Sequence, residues 1–323
     1  MEIAQAKDDP IAGDRPRVAV LIGPTAVGKT GVALELAQKL GGEIVNADSL
    51  QVFRELDIGT AKPTPGERAL VPHHLVDVVA PPEPYDASRY SHEARAVLAE
   101  LHAHGVIPLV VGGTGLYLKA LLSGLFTEGS PDAKIRRLLR EELTDRGLPH
   151  LYERLKRLDP ASAWRLHPHD TYRILRALEV MEATGEPLSA LHESHQFRDS
   201  PYRTLKLGLI LPREELNRRI EARVEDMLAQ GWLEEVKGLL SHYPPDLKPL
   251  QSLGYRHLIA FIQGRWSWEE AIDLLKRDTR RYAKRQLTWF RADPEVRWHA
   301  PDQVPEMLAA LRKFFGVRHF EGG

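Results

Sequence analysis

The chain has 323 residues, 43% of them hydrophobic and 28% charged, with a formal net charge of −1: ordinary globular composition, long enough for two compact units. It contains no cysteine, which excludes disulfides, thiolate metal sites and a cysteine nucleophile and suits a reducing compartment, the cytoplasm by default. No apolar stretch approaches the roughly 18 residues that a membrane-spanning helix needs, so a soluble protein with no membrane partner is expected.

Residues 1–16 carry acids and prolines and lack the apolar core of a secretory signal; they read as a flexible tail. Residues 17–22 form a short apolar run that ends at a glycine loop, and 31–40 follow with helical spacing up to a Gly41-Gly42 stop. A second strand is predicted at 43–47, a third at 74–79, a helix at 88–104 and a fourth strand at 106–111. Strands alternating with helices predict an α/β fold: a parallel sheet with helices on both faces and the glycine loop at its carboxyl edge. Beyond Gly124 the pattern turns helical, at 133–146, 151–158 and 170–184, with breaks at 147–149, Asp159-Pro160 and His167-Pro168. Strand character returns at 203–211, a long helix is predicted at 214–240, another at 269–291, and a last strand at 295–299. The expected organisation is one P-loop α/β core, residues 17–125 and 200–323, carrying an inserted all-helical domain at 126–199.

The balanced net charge hides two basic zones. Residues 134–176 hold eleven Lys/Arg against six Asp/Glu, and 276–291 hold seven against the single acid Asp278. Each zone by itself suits a solvated face as well as a nucleic-acid surface.

Gly23-Pro-Thr-Ala-Val-Gly-Lys-Thr30 matches G-x-x-x-x-G-K-[ST], with the required strand before it and helix after it. Such a loop turns backbone N–H groups toward phosphate oxygens, Lys29 adds a point charge, and the Thr30 hydroxyl can ligate Mg²⁺. A common NTPase also needs an acid at the end of a second apolar strand. The strand at 106–111 ends in Gly112-Gly113-Thr114 instead, whereas the strand at 43–47 leads into Asp48-Ser49. Asp48 is therefore the best-placed general base or metal-associated acid; a cap on the following turn is its structural alternative. His73-His74 and His167-Pro-His169 lack further ligands at zinc spacing and read as turn or helix-start features.

Together with the P-loop, Asp48-Ser-Leu-Gln-Val52, Asp57-Ile-Gly-Thr-Ala-Lys-Pro63, His73-His-Leu-Val-Asp77 and Gly112-Gly-Thr-Gly-Leu-Tyr117 resemble the tRNA dimethylallyltransferase family. The resemblance continues through His169-Asp-Thr-Tyr-Arg173, Arg219-Ile-Glu-Ala-Arg223, Gly254-Tyr-Arg256 and Thr279-Arg-Arg-Tyr-Ala-Lys-Arg-Gln-Leu-Thr-Trp-Phe290, nearly the whole chain beyond the tail. It implies Mg²⁺-dependent transfer of a dimethylallyl group from dimethylallyl diphosphate to N6 of the adenosine 3′ of the anticodon, on a P-loop that serves a prenyl diphosphate rather than ATP. The partners it implies are the donor diphosphate and the tRNA anticodon stem-loop, with no obligate protein partner.

Under this resemblance Gly23, Thr25, Ala26, Gly28, Lys29, Thr30 and Arg219 bind diphosphate, and Asp48, Thr30 and Arg223 form the catalytic set. Asp48 accepts the N6 proton, Thr30 holds the metal, and Arg223 faces the diphosphate. A surface ion pair with Glu215, Glu221 or Asp226 is the alternative for Arg223. Ser49, Leu50, Gln51, Thr114, Arg136, Arg173, Arg176, Arg281 and Arg285 are assigned to tRNA, with Arg277, Arg281 and Arg285 expected on the outer face of the C-terminal basic helix. Two departures from the family pattern bear on tRNA contacts: His169 stands where Asn is frequent, and the loop 196–199 has one basic residue. A P-loop kinase of a small metabolite is the competing reading, since such enzymes also use a second-strand acid as base.

Overall fold

Residues Val18 to Ile22 are at most 3% exposed, a continuous apolar run that suits only a strand covered on both faces. In the computed structural model, which describes residues 15–124, 133–195 and 200–317, this run is the central strand β1 (Arg17–Ile22). The tail through residue 14 and the loop 196–199 lie outside the described residues.

The chain divides into two compact units, Met1–Leu122 with Pro201–Gly323, and Ser123–Ser200. In the first, β1 is followed by α1 (Lys29–Leu40), β2 (Gly42–Asn46), α2 (Pro65–Leu70), β3 (His73–His74), α3 (Ala87–Ala103), β4 (Ile107–Gly112) and α4 (Gly115–Ser123). The helical unit holds α5 (Ala133–Leu158), α6 (Pro160–Arg165), α7 (Thr171–Thr184) and α8 (Leu188–His195). The first unit then resumes with β5 (Arg203–Leu209), α9 (Arg213–Ala229), α10 (Trp232–His242), α11 (Tyr255–Ile262), α12 (Trp268–Arg291), β6 (Arg297–His299) and α13 (Val304–Phe315).

All six strands pair in parallel in the order β3-β2-β4-β1-β5-β6. Side chains alternate across β1, so Ala19 and Leu21 join one core with Leu36 of α1 and Met307 and Leu311 of α13, while Val18, Val20 and Ile22 point to the opposite face. The expected α/β class with a parallel sheet and surrounding helices is what the chain forms.

Two expectations need correction. The third strand is only His73–His74, because Leu75 and Asp77 adopt left-handed φ values of 60° and 59°; Val79 returns as a lone parallel bridge to Phe53. The long helix expected at 214–240 is two helices, α9 and α10, broken where Gly231 takes a φ of 98°.

The helical unit has its own core of Leu139, Leu151, Leu155, Ile174 and Leu178. The break expected at 147–149 appears as a kink inside α5, where Gly147 has φ 76° and ψ 166°. Buried Asp159 caps α6 by accepting from the Ser162 N–H at 2.9 Å, and ties in α8 by accepting from the Ser189 N–H at 3.0 Å and Oγ at 2.6 Å.

Candidate active site

The P-loop leaves β1 at Gly23 and enters α1 through Gly28, whose φ of 104° is a conformation that favours glycine. Gly28 supplies no side-chain cap, so the first-turn amides of α1 stay available to an anion. Ala26 holds a left-handed φ of 63°, local strain of the kind stored at functional loops. Lys29 arches back over the loop: its Nζ donates to the Gly23 carbonyl at 2.9 Å and to the Pro24 carbonyl at 2.8 Å. Burial and then the Arg223 charge push its ammonium down to about 7, against an opposing pull from Asp48.

Sheet order brings the other groups to this loop. β4 lies between β1 and β2, with Ile22 opposite Gly112 and Asn46 opposite Val111, so the P-loop, the Gly112–Thr114 turn and Asp48 follow one another along the carboxyl edge. Asn46 fixes the backbone of Asp48: its Oδ1 accepts the Asp48 N–H at 3.1 Å, and its Nδ2 donates to the Leu75 carbonyl at 2.9 Å. Asp48 Oδ1 accepts the Leu50 N–H at 2.9 Å, so Asp48 does cap its turn. The same carboxylate lines a cleft with Lys29, Thr30, Gln51 and His73, so capping and facing the P-loop coexist. Burial first, and the Asp48 charge second, raise the hydroxyls of Tyr117 and Tyr282.

α9 delivers the two arginines. Arg219 Nη1 would lie 3.8 Å from a methyl placed on Gly28, beside the loop, and its Nε donates to Glu215 at 2.9 Å. Arg223 acts electrostatically on Lys29 and is itself held up by Asp48, while burial lowers it more strongly. Two of the three surface acids weighed for it are otherwise engaged: Glu215 binds Arg218 and Arg219, and Glu221 binds Arg280. Arg223 makes no ion pair among the described residues.

Next to Asp48, the Ser49 N–H donates to Thr114 Oγ1 at 3.0 Å, and Gln51 Nε2 donates to the Thr60 and Ala61 carbonyls, both at 3.1 Å. Arg277, Arg281 and Arg285 are exposed on α12, with the Arg285 guanidinium 5.8 Å from the centroid of the Tyr282 ring. In the helical unit, Arg136 and Arg176 both reach Glu179, at 3.0 and 3.3 Å, and Glu179 is only 4% exposed. Arg173 stays open to solvent, 3.5 Å from Asp170.

The motifs did not single out three further groups. Gln286 of α12 bonds to the P-loop, and Asn46 orients Asp48. Glu235 accepts from the N–H groups of Asp57, Ile58 and Gly59 at 3.0, 2.6 and 3.3 Å.

The histidines fall into local bonds, His74 Nε2 with Glu43 at 2.6 Å and His73 Nδ1 with the Val71 carbonyl at 2.7 Å. No group of three or more His, Asp or Glu able to hold a metal occurs among the described residues. Thr30 and Asp48 line one cleft with oxygen donors, a set that fits Mg²⁺ bound largely through substrate phosphates and water.

A P-loop whose lysine is joined by a carboxylate and a half-buried arginine, on a parallel sheet, defines a P-loop enzyme that transfers a phosphate-borne group. A family model described as IPP transferase matches residues 51–293, and one described as isopentenyl transferase matches 16–71. The chain is 58% identical over 297 residues to a tRNA dimethylallyltransferase of Syntrophobacter fumaroxidans, covering 91% of this chain and 86% of that one. It is 48% identical to another from Geobacter sulfurreducens, covering 94% and 99%. Among solved structures it resembles the tRNA isopentenylpyrophosphate transferase of Bacillus halodurans, with TM-score 0.70 and 35% identity over 94% of this chain and 97% of that one. It also resembles a eukaryotic dimethylallyltransferase acting on tRNA, with TM-score 0.79 and 30% identity over 95% and 81%. The chain belongs to the tRNA dimethylallyltransferase family.

Proposed function

We propose that this enzyme transfers the dimethylallyl group of dimethylallyl diphosphate to N6 of the adenosine immediately 3′ of the anticodon, releasing diphosphate. The observation that carries the reading is the cleft beside the P-loop lined by Lys29, Thr30 and Asp48, with Arg223 of α9 near enough to act on the charges of Lys29 and Asp48. An exocyclic adenine amine is a weak nucleophile, so diphosphate must be made to leave an allylic carbon while a proton is taken from nitrogen. Lys29, Arg223 and the first-turn amides of α1 stabilise the charge growing on the leaving diphosphate. Asp48 accepts the N6 proton. Mg²⁺, when bound with Thr30, adds further neutralisation of diphosphate charge.

The acceptor adenine has to leave its stack to reach this cleft. Ser49, Leu50, Gln51 and Thr114 line its approach to Asp48, and Arg281 and Arg285 of α12 contact the RNA backbone. Arg136, Arg173 and Arg176 supply positive charge from the helical unit, the anticodon-arm domain at 126–199 in this reading. Action on tRNA fits a cytoplasmic enzyme. No helix among the described residues is long and apolar enough to cross a membrane. Family membership disfavours the kinase alternative.

The reading is tested by incubating enzyme, Mg²⁺ and radiolabelled dimethylallyl diphosphate with an anticodon stem-loop carrying adenosine or inosine at the target position. Label is expected on the adenosine RNA alone. Equal labelling of the inosine RNA, which lacks the N6 amine, would refute it.

A further inference from the structure

Gln286 lies on α12, 261 residues along the chain from the P-loop, yet its side chain ends inside the loop's hydrogen-bond network. It is 6% exposed, a primary amide in a helix face otherwise buried through Ala271, Leu275, Ala283 and Phe290. Both ends of the amide are used. Oε1 accepts the Thr25 N–H at 2.9 Å, and Nε2 donates to the Gly113 carbonyl at 3.0 Å. One partner is a donor and the other an acceptor, which fixes the orientation of the amide; a carboxylate or an apolar side chain of the same size cannot satisfy both.

The space is built around this group. A methyl on Gly113 would lie 2.3 Å from Gln286 Nε2, so residue 113 has to be glycine for the amide to sit there. From Gly113 the connection runs on: the Thr114 N–H donates to the Ala47 carbonyl at 3.2 Å, and Thr114 Oγ1 accepts the Ser49 N–H at 3.0 Å. Ala47 and Ser49 flank Asp48. Hydrogen bonds through Gln286, continued across the Gly113–Thr114 peptide, thus join the P-loop to the segment that bears the carboxylate.

We infer that Gln286 is a positioning residue for the transfer: it locks the diphosphate-binding loop and the Asp48 segment in one register, and so sets the distance between leaving group and acceptor nitrogen. The inference rests on the proposed prenyl transfer. Misplacing reacting groups lowers the rate of the chemical step more than it weakens binding of either substrate. Removing the amide therefore slows chemistry in every folded molecule, whereas a purely structural role would reduce the number of active molecules without changing the rate of those that remain.

The test is a single-turnover assay with enzyme in excess over labelled stem-loop RNA and saturating dimethylallyl diphosphate, comparing wild type with Gln286→Met and Gln286→Glu. Gln286→Met is expected to lower the rate constant on the order of 10²-fold, with the half-saturating concentrations of enzyme and of dimethylallyl diphosphate, each titrated separately, within about threefold of wild type. Gln286→Glu keeps the acceptor for Thr25 and is expected to fall between the two; it supplies the comparison if the Met variant does not fold. A rate constant within about twofold of wild type in the folded variants, or a loss of amplitude alone, would overturn the inference. Absence of transfer by wild type would instead overturn the activity on which it rests.

Discussion

Asp48 does two jobs with one carboxylate: Oδ1 holds the Leu50 N–H, and the group lines the cleft with Lys29 and acts on the Arg223 charge. Asp48→Asn keeps an oxygen for Leu50 but removes the proton acceptor. Single-turnover transfer should slow on the order of 10²–10⁴-fold while calorimetric binding of inorganic diphosphate stays intact. Lys29 gives a pH prediction. Its ammonium, held down to about 7 by burial and then Arg223, is the form that binds diphosphate. Below that value it is already charged; above it a proton must be taken up on binding, so affinity for dimethylallyl diphosphate, an ester whose last phosphate oxygen ionises at about pH 6, should fall by up to tenfold per pH unit from about 7 to 9. Calorimetry in buffers of different ionisation enthalpy should register that uptake, and affinity flat across this range would contradict it. The loop and Asp48 were legible in the sequence because each depends on neighbours in the chain. Gln286 and Glu235 were not, because their partners lie 261 and as many as 178 residues away and only the folded sheet edge brings them close.

Among the elements, the segment 57–61 is held to α10 by one side chain. Glu235 takes three consecutive backbone N–H groups and the Tyr255 hydroxyl, and the same segment offers the Thr60 and Ala61 carbonyls to Gln51. Glu235→Ala strips those amides of their acceptor and should cost about 3 kcal/mol in denaturant unfolding, with reduced transfer as Gln51 loses its anchor. Gly231→Ala should cost about 1–2 kcal/mol, since a Cβ is strained at the left-handed break between α9 and α10. That break escaped the periodicity because Leu216, Ile220, Val224 and Met227 lead into Trp232, Val236 and Leu239 as one amphipathic run. The third strand was over-read for the opposite reason: apolar residues at 75–79 suggest pairing, and the positive φ values that end it belong to Leu75 and Asp77, residues that seldom adopt them.

Across the whole molecule, a nearly neutral chain carries concentrated positive charge, which net composition conceals and residue-by-residue counting reveals. Not every arginine is equally available. Arg136 and Arg176 are tied to buried Glu179, whereas on α12 exposed Arg281 has only the more distant Asp278, at 3.5 Å, and exposed Arg285 lies over the Tyr282 ring. Arg281→Gln should weaken stem-loop binding and flatten the salt dependence of log Kd by about 0.7–0.9 if it meets one phosphate, and filter-binding across a salt series reads this directly. The parallel sheet, its helices and the family were all legible, since strand, loop and helix alternate in order and the motifs span the chain. The most direct measurement is mass analysis of nucleosides from stem-loop RNA treated with enzyme, Mg²⁺ and dimethylallyl diphosphate, with Asp48→Asn in parallel. The account predicts N6-(dimethylallyl)adenosine from wild type and little from the variant. Unmodified adenosine from wild type, or full modification by Asp48→Asn, would contradict it.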